Sequence, residues 1–134
     1  MIYVDSSIII RLIEGVDNVR TPIENRLRQL PESDRILLTS RLSCLECRCK
    51  PLREKQIILL DLYRAFFAST DLILQEVTAE VVERATIIRA EIGFKTPDAL
   101  HASTAILSEA NEFWTTDGNF RKCSALKVEL FPSV

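Results

Sequence analysis

Several things that would dominate a reading are scarce in this chain. Its 134 residues hold three glycines and five prolines, too few to suggest linkers or a low-complexity tail, and no internal repeat is visible. One histidine, His101, is present. No serine–histidine or cysteine–histidine set competes for nucleophilic catalysis, and no glycine-rich loop could cradle a phosphate. Long apolar runs are missing too. Asp5 and Arg11 interrupt the apolar start, so neither a secretory signal nor a membrane span is expected, and the expected compartment is the cytoplasm. Positive charge is not in excess: the formal net charge is -2. That argues against strong non-specific DNA binding, which needs many phosphate contacts. It leaves a nucleic-acid enzyme open, because acidic metal ligands lower the count and bound cations restore local positive charge.

Disulfides are not expected either. Cys44, Cys47 and Cys49 lie in a stretch that reads as helix, where Cys44 and Cys47 share a face and Cys49 points away. Only Cys123 and His101 remain to complete a zinc site, so reduced thiols are the better reading.

What is present is the composition of one soluble globular domain, residues 1–134, with 47% apolar and 27% charged residues. Ile2-Tyr3-Val4 reads as a strand, and Ser6 or Ser7 can cap a helix through Ile13 that Gly15 ends. Pro22 suits the first turn of a second helix reaching Leu30. Arg35–Thr39 reads as a buried strand, followed by a helix around Leu42–Glu46 that Pro51 should stop. Arg53–Ala68 has helical apolar spacing, and its apolar surface suits either the core or an interface. Asp71–Val77 contains a further strand. Thr78 and Gly93 bracket a helix, and Thr96-Pro97-Asp98 is a helix start of cap, proline and acid. Phe113–Thr116 is a strand, Asp117-Gly118-Asn119 a turn, and Lys127–Phe131 a last short strand.

Strands thus alternate with helices, which predicts an α/β fold: a parallel sheet sandwiched between helices. Such sheets bind ligands beyond the carboxyl ends of their strands. Four acids fall at element ends where that edge should be: Asp5, Glu46, Asp98 and Asp117. Singly, each has an ordinary explanation as a cap, a solvated helix charge, a dipole partner or a turn residue. Together they would repel and raise one another's pKa, and a fold keeps such a cluster mainly when a cation neutralises it. Oxygen-only ligands suit Mg²⁺ or Mn²⁺ rather than zinc. The basic residues Arg41, Arg48, Lys50, Arg53 and Lys55 cluster near one helix boundary and read as a solvated helix end.

These residues resemble the PIN-domain nucleases, most closely the toxin ribonucleases of VapBC-type toxin–antitoxin pairs. The resemblance spans nearly the whole chain. It rests on Ile2-Tyr3-Val4-Asp5-Ser6-Ser7, on Glu46, on Pro97-Asp98-Ala99-Leu100-His101-Ala102, and on Trp114-Thr115-Thr116-Asp117-Gly118-Asn119-Phe120. It implies the PIN-domain fold, divalent-metal-dependent cleavage of RNA, a homodimer, and a cognate antitoxin that occupies the active-site groove. By position, Asp5 and Asp98 would be direct metal ligands. Glu46 and Asp117 would bind metal directly or through water, or orient the attacking water. Ser7, Thr115 and Asn119 would hydrogen-bond the carboxylates. His101 is expected to be packed or hydrogen-bonded rather than catalytic. The competing readings are a non-catalytic PIN-like module that binds RNA or protein, and a housekeeping RNA-processing nuclease of the same fold.

Overall fold

The computed structural model describes residues 1–132. Its strands are β1 (Ile2–Val4), β2 (Leu37–Ser40), β3 (Leu72–Gln75), β4 (Glu112–Thr115) and β5 (Val128–Leu130). Its helices are α1 (Ser6–Glu14), α2 (Asp17–Gln29), α3 (Arg41–Arg53), α4 (Ile57–Ala68), α5 (Ala79–Ile92) and α6 (Thr96–Leu107). The sheet runs in the order β3-β2-β1-β4-β5, and every neighbouring pair is parallel.

A parallel sheet is buried on both faces, so its strands can be apolar at every position. β1 shows this: Ile2, Tyr3 and Val4 are all buried. Alternation then divides them between two cores. Tyr3, Leu38 and Phe113 point to one face, against Ala85 and Ile88 of α5 and Ala99, Ala102 and Ala105 of α6. Ile2, Val4 and Trp114 point to the other, against Ile8, Ile9, Ile23, Cys47 and Tyr63 of α1–α4. Tyr3 stacks on Phe113 with ring centroids 5.1 Å apart, a contact worth about 0.5–1.5 kcal/mol beyond simple burial.

The topology selects one place on this sheet. From β1 the chain moves to β2 and β3 on one side, while β4 and β5 lie on the other. The connections therefore diverge at the carboxyl ends of β1 and β4, and a crevice opens there. Val4 pairs with Trp114 at that end, so Asp5 and Thr115 emerge side by side.

Five local details differ from the sequence reading. Asp5, not Ser6 or Ser7, caps α1, accepting a bond from Ile8 N–H. The caps expected there are helical residues, because the Asp5 carboxylate already accepts from the open N–H of Ile8. α2 begins at Asp17, five residues before Pro22; its first turns are too polar to show apolar periodicity. Pro51 does not stop α3 where it stands. The helix runs on to Arg53, since a proline near the last turn costs only one hydrogen bond. The helix expected from Arg53 begins at Ile57, after a turn that contains Lys55 at φ 55°. Lys95 takes the cap position of α6, which puts Thr96 at the first helical residue. Thr78 caps α5 and Gly93 ends it in the left-handed conformation, φ 87°.

Candidate active site

Asp5 sits at the crevice and is 5% exposed. Its carboxylate is fully laced. Oδ1 accepts from Ser7 Oγ at 2.5 Å and from Ile8 N–H at 3.2 Å, and Oδ2 accepts from Thr115 Oγ1 at 2.5 Å. Both hydroxyls are themselves anchored. Thr116 N–H donates to Ser7 Oγ at 3.1 Å, and Asp117 N–H donates to Thr115 Oγ1 at 3.0 Å. An N–H only donates and a carboxylate only accepts, so the direction of every bond in this lattice is fixed. It ties the start of α1 to the end of β4.

Glu46 lies in the second turn of α3, with a side chain 28% exposed. Its Oε1 accepts from Ser6 Oγ at 2.7 Å and bonds His101 Nε2 at 2.6 Å. Burial pushes the Glu46 carboxyl up, but the bond to His101, the charge of His101 and the Ser6 bond together bring it below its ordinary value. Behind Ser6, Ser43 and Thr39 continue a chain of hydroxyls to Val4 O.

Asp98 and Asp117 are held differently. Asp98 stands in the first turn of α6, half-buried, and makes no side-chain hydrogen bond among the described residues. Burial raises its pKa, and so do the charges of Asp117, Asp5 and Glu46; His101 opposes them. All three other carboxylates are therefore felt at Asp98. Asp117 is exposed and caps the short 3₁₀ turn Gly118–Lys122. Asn119 reaches it through the main chain, its backbone N–H donating to Asp117 Oδ1 at 2.9 Å.

The donor chemistry fits a hard divalent cation. After every bond above is assigned, Asp5 Oδ2 keeps one lone pair, Glu46 Oε2 carries no bond among the described residues, and Asp98 and Asp117 keep most of theirs. As placed, no three His, Cys, Asp or Glu side chains among the described residues are gathered tightly enough to hold an ion. Bringing them together would fall to Asp98 and Asp117, which few bonds restrain.

Other sequence features stay outside the site. All four cysteines are free, and burial pushes the Cys47 thiol up to about 12, far from a reactive thiolate. Arg41 pairs with Glu76 at 2.6 Å, and Arg48, Lys50, Arg53 and Lys55 are exposed along and just beyond α3. Sequence reasoning missed Ser6 and Tyr3. Ser6 was read as a cap and Tyr3 as strand core, yet both carry hydrogen bonds of the site. The adjacent Ser6-Ser7 pair was the available signal for the first; nothing local marked the second.

A parallel α/β sheet with Asp5 at its topological switch, and within the electrostatic reach of Asp98, defines a class of acidic-site proteins. The family follows from comparison. The PIN-domain family model matches residues 2–126, and the chain belongs to that family. No protein of curated function matches it closely enough in sequence to count. Solved structures that share the fold include the following three. A toxin–antitoxin complex from Klebsiella pneumoniae is 21% identical with a TM-score of 0.71, over 94% of this chain and 95% of that one. VapBC2 from Rickettsia felis, bound to a DNA fragment from its promoter, is 18% identical with a TM-score of 0.75, over 98% and 99%. VapC20 from Mycobacterium tuberculosis, a toxin that cleaves the sarcin–ricin loop, is 21% identical with a TM-score of 0.78, over 98% and 100%.

Proposed function

We propose that this chain, as one domain over residues 1–134, is a divalent-metal-dependent endoribonuclease and the toxin of a toxin–antitoxin pair. One observation carries the reading: at the crevice between β1 and β4, five hydrogen bonds fix the Asp5 and Glu46 carboxylates while Asp5 Oδ2 keeps a lone pair and Glu46 Oε2 is unengaged among the described residues, and Asp98, raised by burial and by the charges of Asp117, Asp5 and Glu46, lies within their field. Such repulsion is costly without a neutralising cation, so a purely binding role gives no reason to keep it. The family and the similar toxins support the substrate class.

In this reading Asp5 and Asp98 are direct ligands of Mg²⁺ or Mn²⁺. Glu46 and Asp117 hold the ion directly or through water and orient the attacking water. When bound, the ion lowers the pKa of a water and offsets charge on the phosphate. Hydrolysis joins the water oxygen to phosphorus and breaks the P–O bond to the leaving sugar; a carboxylate takes the proton of the attacking water, and the leaving sugar oxygen keeps the bond's electron pair and takes up a proton from solvent. Ser7 and Thr115 keep Asp5 from turning, and the Asn119 N–H steadies Asp117.

The partners proposed are RNA, a cognate antitoxin covering the groove, and a second copy of the chain. The toxin–antitoxin assemblies of similar fold support the antitoxin. An exposed apolar surface supports the homodimer: on α4, Ile57, Ile58 and Leu62 stand out in solvent. Among the described residues no helix is long and apolar enough to cross a membrane. The cytoplasm is proposed as the compartment, where the free cysteines would stay reduced.

The test is RNA cleavage by purified protein with Mg²⁺ or Mn²⁺, with EDTA, and with the Asp5→Asn, Asp98→Asn and Glu46→Gln variants. Cleavage should require the metal and be lost in all three. Variants as fast as the parent would refute the assignment, and a binding module would show no metal-dependent change in thermal stability.

A further inference from the structure

The one histidine in the chain is buried, 3% exposed, and both of its ring nitrogens are engaged. Nδ1 lies 2.6 Å from the Tyr3 hydroxyl and Nε2 lies 2.6 Å from Glu46 Oε1. Tyr3 is fully buried, stacked on Phe113 and edge-on to the imidazole at 5.8 Å. A continuous hydrogen-bonded line therefore runs from β1 through α6 to α3, and Ser6 of α1 meets it at the same Glu46 oxygen. Two elements, α1 and α6, meet on one oxygen of the α3 carboxylate, with β1 behind the imidazole, while Oε2 is left unengaged among the described residues.

We infer that His101 is a positioning residue for the proposed nuclease site: with Tyr3 on Nδ1, its Nε2–H holds Glu46 Oε1 and so keeps Oε2 available for metal or water. The inference rests on the function proposed above. Its logic is geometric. An ionised carboxylate has no proton to give, so the proton shared with Nε2 belongs to the ring. With the proton on Nε2, Nδ1 is left to accept from the Tyr3 hydroxyl, which can donate there. Glu46 needs such a brace more than Asp5 does. Its carboxylate lies one methylene further from the backbone, with one more torsion to freeze. Ser6 alone supplies one neutral donor. His101 adds the second, from a ring that burial and two bonds hold in one orientation.

The experiment uses four proteins: the parent, His101→Ala, His101→Gln and Tyr3→Phe. With one histidine, ring ¹⁵N shifts report His101 without ambiguity. On metal-free parent they should show Nε2 protonated and hydrogen-bonded, and in Tyr3→Phe the Nδ1 signal should move. In RNA cleavage His101→Ala should lower kcat about 10–100-fold, the usual cost of losing a partner behind a metal ligand, with KM little changed. His101→Gln places an amide donor near the position of Nε2 and should recover most of that loss. A merely structural histidine would not give this pattern, because alanine and glutamine would then differ in stability rather than in kcat. A spectrum with a bare Nε2 overturns the inference, as does His101→Ala cleaving at the parental rate or His101→Gln being as slow as alanine. If His101→Ala does not fold, the spectrum, glutamine and Tyr3→Phe decide. If the parent itself cleaves no RNA, the proposed function has failed, and the ¹⁵N spectrum still tests the brace.

Discussion

The two halves of the acidic cluster are built on opposite plans. Asp5 and Glu46 are held by hydroxyl, imidazole and backbone donors, five bonds on three of their four oxygens. Among the described residues the side chains of Asp98 and Asp117 have one bond between them, from the Asn119 N–H to Asp117. The held pair comes with its geometry already set. The loose pair keeps the repulsion, which appears at Asp98 as a raised pKa, while the donors around Glu46 bring its pKa down. Repulsion left at a side chain with few hydrogen bonds is free energy that a cation can remove, whereas a braced side chain gives the cation a fixed place to dock. That difference is the physical content of the proposed ligand set.

Removing a held ligand should have the largest effect. Asp5→Asn keeps the α1 cap, since asparagine caps as well as aspartate, so the fold should survive. Loss of about 4 kcal/mol of transition-state stabilisation would slow cleavage about 1,000-fold in a single-turnover RNA assay. Cation binding comes next. Mg²⁺ or Mn²⁺ at about 100 times its Kd should add about 2.7 kcal/mol to stability by mass action, read as a rise in Tm that Asp98→Asn lacks. Breaking the lacing comes third. Thr115→Val strips Asp5 Oδ2 and Asp117 N–H of their buried partner and should cost about 1–3 kcal/mol in urea unfolding.

The smallest effect has the opposite sign. Asp98→Asn relieves like-charge repulsion and should stabilise the metal-free protein by roughly 0.5 kcal/mol after solvent screening, while abolishing cleavage. The two carboxyls also differ in pH dependence. The folded pKa of Asp98 is raised, so its penalty is absent at low pH and grows as pH rises through and above the ordinary carboxylate range. The folded pKa of Glu46 is lowered, so its contribution is present above the ordinary range and is lost as pH falls through the depressed value. Unfolding from pH 3 to pH 7 without metal should therefore show the parent–Asp98→Asn difference growing with pH. The Glu46→Gln deficit should also be larger at pH 7 than at pH 3. Equal differences at both ends would remove the contrast between the two carboxyls.

Much of this was legible in the sequence because its causes are local. Asp5-Ser6-Ser7 directly after a strand, and Thr115-Thr116-Asp117 after another, place acids and hydroxyls at the carboxyl edge of any parallel sheet built from these strands. Gly93 ends α5 because it alone tolerates a φ of 87° without strain. The errors were local as well, where two signals compete. Asp5 outcompeted Ser6 and Ser7 for a cap position that all three could fill, and the loss of one hydrogen bond at Pro51 did not end α3 there.

The sequence alone determined that Asp5, Asp98 and Asp117 would stand at the ends of elements in a parallel α/β fold, with Glu46 in the helix after β2, because strand alternation, caps and turns act over a few residues. Only the tertiary structure decided which acids are braced and which are loose. Glu46 meets His101 across 55 positions, Asp5 meets Thr115 across 110, and Tyr3 meets His101 across 98. No local pattern encodes a hydrogen bond between residues that become neighbours only when β1, β4, α3 and α6 close around one crevice.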